Sequence, residues 1–442
     1  MQSIETAKLP IDPGTSGWNA ILPEPGPANE LDGAVNADWL VIGAGFAGLA
    51  AARRLHQLRP HDRIVVLEAS RVGQGPAGRN SGFMVDLPHD LSSDTYAGAA
   101  EADLKQIRLN RSAIEFAQDA ARRYDLEGTA FQLRGKHNAA ATEAGEQHLR
   151  DYAKHLDGLG EAYERLDADD MKRLTGLDYY RAGLLTPGTA ILQPAAFVRG
   201  VAAGLRTEGV AIHEQSPVTR LDLGPDHVAH TPRGRVTAPR IVLGVNGHAE
   251  SFGFYRRRLM HVFTYASMTR ELTGDEVRRL GGEQEWHFTA ADPLGTSVRR
   301  IRENRIVVRS RFTYDPSMEV SDRRIASVGR EHQAAFAARF PMLEGVDMEY
   351  RWGGRLCLSR NGVPAFGEVA EGVFSAVCQN GLGTAKGTLA GMAAAELASG
   401  TSSWRVDAMQ AYEQPSRLPP EPFMYVGANA YLRWHQFRAR GE

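Results

Sequence analysis

The residues of this chain best suited to chemistry are glycines. Gly43-Ala44-Gly45-Phe46-Ala47-Gly48 follows the apolar run Trp39-Leu40-Val41-Ile42 and opens a stretch with helical spacing, Phe46 to Leu58. A second apolar run, Ile64-Val65-Val66-Leu67, then ends in Glu68. Strand, glycine turn, helix, strand and acid in this order make a dinucleotide site. Gly43 permits a tight turn, Gly45 lets backbone approach a pyrophosphate, and Gly48 lets helix and strand pack closely. The helix start offers N–H groups and the positive end of its dipole to phosphate. Glu68 is placed to accept hydrogen bonds from ribose hydroxyls. The motif by itself does not choose between NAD and FAD.

Two further stretches favour a flavin. Gly75-Pro76-Ala77-Gly78-Arg79-Asn80-Ser81-Gly82 follows the second strand, and its small residues let backbone pass close to a large flat ligand. Gly381-Leu382-Gly383-Thr384 follows the late apolar run Gly372–Val377 and opens a small-residue helix, Thr384 to Leu397. Such a helix start suits the negative charge that a reduced flavin carries near N1 and O2. The basic cluster Arg299, Arg300, Arg302, Arg305, Arg309 and Arg311 reads as a solvated hairpin edge around Glu303-Asn304. Arg309 and Arg311 could instead reach a cavity as anion contacts, and Tyr265 could line it.

These residues need a scaffold, and the chain is long enough to supply one. Its 442 residues allow two or three domains. With 43% hydrophobic and 24% charged residues, it is not a disordered chain. A net charge of -2 gives no reason to expect nucleic acid. Two cysteines exclude a disulfide framework. The 14 histidines form no ligand cluster, so no metal is expected. No signal peptide and no integral membrane span is visible, which predicts a cytoplasmic protein.

Residues 1–36, rich in Pro, Gly and Asn, read as an extended strap that Trp18 anchors. Residues 101–125 and 143–175 have amphipathic helical spacing. Residues 255–315 suggest an antiparallel sheet, and Arg240–Gly244 another buried strand. The terminal stretch Tyr431–Arg438 is either a docking or membrane-surface helix or a packed terminal helix.

The chain resembles the D-amino-acid oxidase-like FAD oxidoreductases, the fold shared with glycine oxidase and sarcosine oxidase. Within that family it looks most like the gamma-glutamylputrescine oxidase branch. The resemblance rests on VIGAGFAGLAAARRL, VVLEASRVGQGPAGRNSG, GLLTPGTAILQPAAFVRGVAAGL, MEYRWGGRLCLSRNGVPAFGE and QNGLGTAKGTLAGMAAAELASG. It implies an α/β fold: an FAD-binding Rossmann-like (glutathione-reductase-type) domain with an inserted antiparallel-sheet substrate domain. The FAD part would be discontinuous (37–100, 190–250, 350–405). The substrate part would comprise 101–189 and 251–349, with 406–442 as a C-terminal extension. Gly43, Gly45, Phe46, Ala47, Gly48, Glu68, Ala69 and Ser70 would hold the ADP half. Gly78, Arg79, Asn80 and Ser81 would approach the pyrophosphate and isoalloxazine, and Val218 the adenine or ribose. Gly381, Leu382, Gly383 and Thr384 would face the flavin O2 edge. Cys357 lies near where some sarcosine oxidases attach flavin, but non-covalent FAD is expected.

Arg355 matches the position where amino-acid oxidases of that family place a carboxylate-binding arginine, whose planar fork suits a carboxylate. The other reading pairs it with a structural acid such as Glu368. The implied reaction is oxidation of the C–N bond of an amino acid or N-substituted amino acid, with Arg355, Arg309 and Tyr265 around the substrate. Oxygen or another acceptor would take the electrons. The competing expectations are oxidation of a polyamine derivative such as a gamma-glutamylated amine, and a non-catalytic dinucleotide-binding protein.

Overall fold

The computed structural model describes residues 2–88 and 98–442. The apolar runs Trp39–Ile42 and Ile64–Leu67 form adjacent parallel strands, fully buried, because helices cover one face of the sheet and a smaller sheet carrying Leu221, Ala229 and Val236 covers the other. They belong to a six-stranded sheet in the order Ala211–His213, Ile64–Leu67, Trp39–Ile42, Ile241–Leu243, Val373–Val377, Ala365–Ala370. Only the last pair is antiparallel. The sheet therefore collects strands that lie far apart in sequence.

The helix Phe46–Leu58 packs on this sheet and against the helix Ala385–Ala398. Both faces of that contact are made of small residues. A Cβ on Gly391 would lie 2.0 Å from the Ala47 carbonyl oxygen, and one on Gly48 would lie 1.7 Å from that of Gly43. Glycine is required at these two positions by contact distance. The helix Ala100–Arg123 joins the same apolar cluster through Leu109, Ala113, Ala117 and Ala121. Residues of the stretch 101–189 thus contribute to the dinucleotide core, because this helix's apolar stripe is filled by the Ala385–Ala398 helix.

The second large sheet has eight strands. In order they are Met348–Leu358, Met260–Thr269, Arg305–Tyr314, Ser297–Ile301, Trp286–Ala290, Lys136–Ala140, Ala182–Thr186 and Glu164–Leu166. All neighbours are antiparallel except Trp286–Ala290 with Lys136–Ala140. Met348–Leu358 sits in this sheet through its long ladder with Met260–Thr269, although it follows the sequence stretch 251–349. The basic hairpin is not the solvated edge expected from its sequence. Ser297–Ile301 is an interior strand, so Arg299 and Arg300 are buried. Arg299 donates to the carbonyls of Ser81 and Leu192, and Arg300 to those of Gly281 and Glu283. Burial pushes the Arg299 guanidinium down to about 10.

The N-terminal segment crosses the molecule in pieces. Gln2–Glu5 and Gly33–Asn36 are the outer strands of a five-stranded sheet. Between them Trp18 is buried, its indole N–H donating to the Asn80 carbonyl and its ring lying 4.9 Å from the Arg299 guanidinium carbon. At the other end, the helix Phe423–Arg438 packs one face on the strand Arg305–Tyr314. The Asn429 and Gln436 amides there bond the backbone of Tyr314 and Phe312.

Two buried histidines make the fold acid-sensitive. Burial lowers His287 to about 3 and His332 to about 4, from 6.5. Both are depressed, so their contribution is intact above pH 6.5 and is lost as pH falls, because the unfolded chain then binds protons the native state refuses. Each costs about 2 kcal/mol between pH 6.5 and about pH 5. Melting curves should show a Tm several degrees lower at about pH 5 than at pH 7. An unchanged Tm would contradict the burial of these rings.

Candidate active site

One cavity runs between the C-terminal ends of the six-stranded sheet and the face of the eight-stranded sheet, where α/β folds place their ligands. At one end Gly43, Gly45, Phe46, Ala47, Glu68, Ala69, Ser70 and Val218 line it. Gly43 has φ +99°, which favours glycine, and a Cβ on Gly45 would meet only the Ala77 side chain, at 3.5 Å. Glu68 is held by two backbone N–H donors, Ala44 at 2.8 Å and Ser70 at 3.0 Å. Burial raises its pKa, the largest influence on it, while those two bonds oppose the rise. Each carboxylate oxygen keeps a lone pair for a ribose hydroxyl.

Further along, Gly381, Gly383 and Thr384 line the wall, and a Cβ on Gly383 would meet nothing within 4 Å. The helices that begin here, Phe46–Leu58 and Ala385–Ala398, have no side-chain cap. By contrast Glu143–Leu159, Ala168–Thr175, Pro194–Thr207, Gly274–Leu280, Asp322–Arg339 and Trp404–Gln410 are each capped by a side chain. Uncapped helix starts that open onto one cavity are ready to receive an anionic ligand. Among the cavity walls, the Thr264 hydroxyl and the Arg355 Nε are buried polar atoms with no hydrogen-bond partner. The glycine cradle, the acid and the two helix starts fit an adenine dinucleotide with a flat reactive ring.

Some expected contacts are placed otherwise. Gly48 and Gly78 serve close packing outside the cavity wall; a Cβ on Gly78 would lie 1.8 Å from the Gly73 oxygen. Leu382 turns into an apolar cluster with Phe83, Val85 and Ile191. Arg79, Asn80 and Ser81 do line the cavity, but the Arg79 and Asn80 side chains and the carbonyls of all three are bonded within the protein. The Arg79 guanidinium donates to the carbonyls of Gln74, Pro13, Gly14 and Gly353 and so ties the N-terminal segment down. The Asn80 amide bonds Ala77 and Gly82 and shapes the turn. These side chains are spent inside the protein, which leaves backbone to face a ligand.

Arg355 is buried and lines the cavity, and its acid is not Glu368, which instead accepts from the Gly372 N–H. Arg355 donates to Asp12 at 2.9 Å and to the His248 Nε2. Burial first, and then the Arg355 charge, pushes His248 down to about 3, so it accepts as a neutral ring. Asp12, with Thr6, Lys8, Leu9 and Pro10, belongs to the N-terminal segment, which lines the cavity. Sequence reasoning missed this wall. The segment has no hydrophobic period, and only its Pro and Gly content marked it as extended. The stretch Gly244–His248 was also missed, although a glycine after a buried strand was its signal.

The opposite wall is shaped by a β-bulge. Thr264 pairs with Phe312 and Tyr265 with Ser310, which leaves Arg311 as the extra residue, with φ +66°. In a regular strand Arg309 and Phe312 would face opposite ways. With the bulge both reach the cavity, together with Thr264, Tyr265 and Ala266. The Tyr265 hydroxyl bonds Thr313 at 2.7 Å, and burial raises its pKa to about 12, so it is an un-ionised group. Cys357 also lines the wall, with its pKa pushed up by the neighbouring Cys378 and by burial.

A sheet gathered around a glycine cradle, facing an antiparallel sheet across one cavity, defines a dinucleotide-dependent oxidoreductase architecture. Residues 38–397 match the model of the DAO family, described as FAD dependent oxidoreductase, and the chain belongs to that family. It is 27% identical over 412 residues to gamma-glutamylputrescine oxidoreductase of Escherichia coli, covering 90% of each chain. It is 25% identical over 452 residues to a probable oxidoreductase, OrdL, of Rhizobium meliloti, covering 98% of this chain and 100% of that one. The fold is similar to glycine oxidase from Geobacillus kaustophilus, with a TM-score of 0.70 at 18% identity, covering 87% of this chain and 100% of that one. The chain is an FAD-dependent oxidoreductase.

Two substitutions separate cradle from core. Gly45→Val fills the open side of the cradle, so the protein should fold with an unchanged far-UV spectrum but purify with at least tenfold less flavin absorbance. Gly48→Ala forces a Cβ onto the Gly43 carbonyl and should instead lose the folded state, read as loss of the cooperative melt. Flavin-replete Gly45→Val protein would contradict the cradle assignment.

Proposed function

We propose that this chain oxidises the C–N bond of a small amine whose carboxylate is not on the oxidised carbon, an N-substituted amino acid oxidised at its substituent or a gamma-glutamylated amine. The observation behind this reading is the pairing of Arg355 inside the protein. Arg355 already has an anion, Asp12, so a substrate carboxylate brought there would meet a neutralised pair and a second negative charge. Arg309 reaches the cavity on the bulged strand, with Thr264, Tyr265 and Phe312 around it. A carboxylate held there leaves the amine end free to reach the reactive edge. The Escherichia coli relative's name supports a substrate with both features.

FAD supplies, when bound, the acceptor for the two electrons and hydrogen that leave the carbon beside nitrogen. The chain's own part is to position and to exclude water. The cavity offers no carboxylate other than Glu68 and Asp12 among its described lining residues, and both are engaged. The amine reacts in its neutral form, and no side chain is assigned as a base. The imine product is hydrolysed by water to a carbonyl compound and an amine or ammonia. Oxygen or another acceptor would take the electrons in the end.

The unmodified α-amino-acid reading, with Arg355 as carboxylate anchor, competes with this one and makes opposite predictions. Anaerobic mixing with a panel of amines, α-amino acids and N-substituted amino acids should bleach the flavin fastest with compounds whose carboxylate is remote from the oxidised carbon. Arg309→Ala should raise KM for those compounds at least tenfold, about the 1.5–3 kcal/mol of a charged hydrogen bond, and leave KM for carboxylate-free amines unchanged. Arg355→Ala leaves Asp12 buried without its cation, so it should cost about 3–5 kcal/mol of stability, seen as a lower Tm. A stable Arg355→Ala enzyme with only a raised KM would restore Arg355 as the anchor.

A further inference from the structure

The helix Phe423–Arg438 is apolar on two faces. One face, through Met424, Ala428 and Leu432, packs on the cluster of Val262, Phe312 and Tyr314. The other faces outward. Six large apolar side chains of this helix are exposed: Phe423 at 74%, Val426 at 63%, Trp434 at 61%, Phe437 at 57%, Tyr431 at 48% and Tyr425 at 42%. Only four others in the described residues are exposed: Leu9, Ile11, Leu104 and Leu133. At 3.6 residues per turn, Phe423, Ala430, Trp434 and Phe437 form one ridge along the helix. Arg433 flanks it on one side and Arg438 on the other, and Arg440 follows the helix end; all three are exposed. No Asp or Glu occurs from Phe423 to Gly441, and none of these arginines has an ion-pair partner among the described residues.

We propose that this outer face docks on an anionic lipid surface, with the aromatic ridge in the headgroup layer and the arginines on phosphate. The charge pattern selects this occupant over a second copy of the chain. Two copies joined through the ridge would bring both sets of arginines together with no carboxylate on either helix, a like-charge contact in a small area. An anionic bilayer supplies the missing charge and accepts Trp, Tyr and Phe side chains at its interface. Each basic side chain near such a surface strengthens binding roughly fivefold, and the buried aromatic rings add to it. The helix does not span a bilayer: no helix among the described residues is long and apolar enough for that. It would lie flat, with its inner face still on the strand that carries Arg309 and Phe312.

The test uses the full-length, FAD-loaded enzyme and sedimentation with vesicles. One set is phosphatidylcholine alone, and the other contains about 30% phosphatidylglycerol, whose negative surface potential draws basic segments. Binding to the second set only, weakened by salt, is expected. Trp434 is the one exposed tryptophan among the six, so its emission should shift to the blue on binding. Trp434→Ala with Phe437→Ala, and separately Arg433→Glu with Arg438→Glu, should each cut binding at least tenfold while leaving turnover of free substrate and flavin content unchanged. All four side chains point to solvent, so these variants keep the packed face. No sedimentation with either vesicle overturns the proposal. So does equal binding to both sets that ignores the arginine substitutions. A dimer in light scattering that Trp434→Ala disperses would give the face to a second copy instead.

Discussion

Everything at the cavity depends on how closely two helices approach the sheet and each other. The Phe46–Leu58 helix can rest on the Gly43 turn only because position 48 has no side chain, and it can meet the Ala385–Ala398 helix only because position 391 has none. That contact draws two helix N-termini, one from each end of the chain, to the same cleft. Neither start is capped by a side chain, so backbone N–H groups of the turns that open these helices can face a ligand. Two partial positive charges then sit at one site, and this suits a cofactor with a pyrophosphate at one end and a ring that gains negative charge at the other.

The second constraint is that a buried charge needs a partner. Arg79, Arg299 and Arg355 are all buried around the cavity. Arg79 and Arg299 donate to backbone carbonyls, and Arg355 to Asp12 and His248. Their work is to hold the N-terminal segment, the glycine-rich loop and the long antiparallel ladder together, so the cavity walls come from three parts of the chain that share one hydrogen-bond network. The bulge at Arg311 is what brings Arg309 and Phe312 to the cavity together.

Much of the dinucleotide-binding half was legible in the sequence. The strands Trp39–Ile42 and Ile64–Leu67 and the helix Phe46–Leu58 coincide with the apolar runs and the helical spacing that suggested them. The reason is that these elements are buried on both faces, and composition alone marks such segments. The placement of Glu68, Gly43 and Gly45 together on the cavity wall follows for a related reason: it is set by backbone geometry within a single local unit. The acid on Arg355 was not legible, because Asp12 lies far away in a segment without periodicity. Arg299 and Arg300 looked like an exposed edge, because a hairpin's own residues do not show which strand will cover it.

The amino-acid sequence by itself determined the local units: which runs are strands, where helices start, and where a backbone must come within contact distance of another. It also determined the charge and apolar pattern of the terminal helix. Only the tertiary structure decided which arginine already has an anion, which strand carries a bulge, and which face of that last helix has no protein against it. Local geometry follows from neighbouring residues through short-range sterics and hydrogen bonds. Pairing of buried charge and coverage of apolar surface are settled by whatever the rest of the chain brings alongside, and one segment does not contain that information.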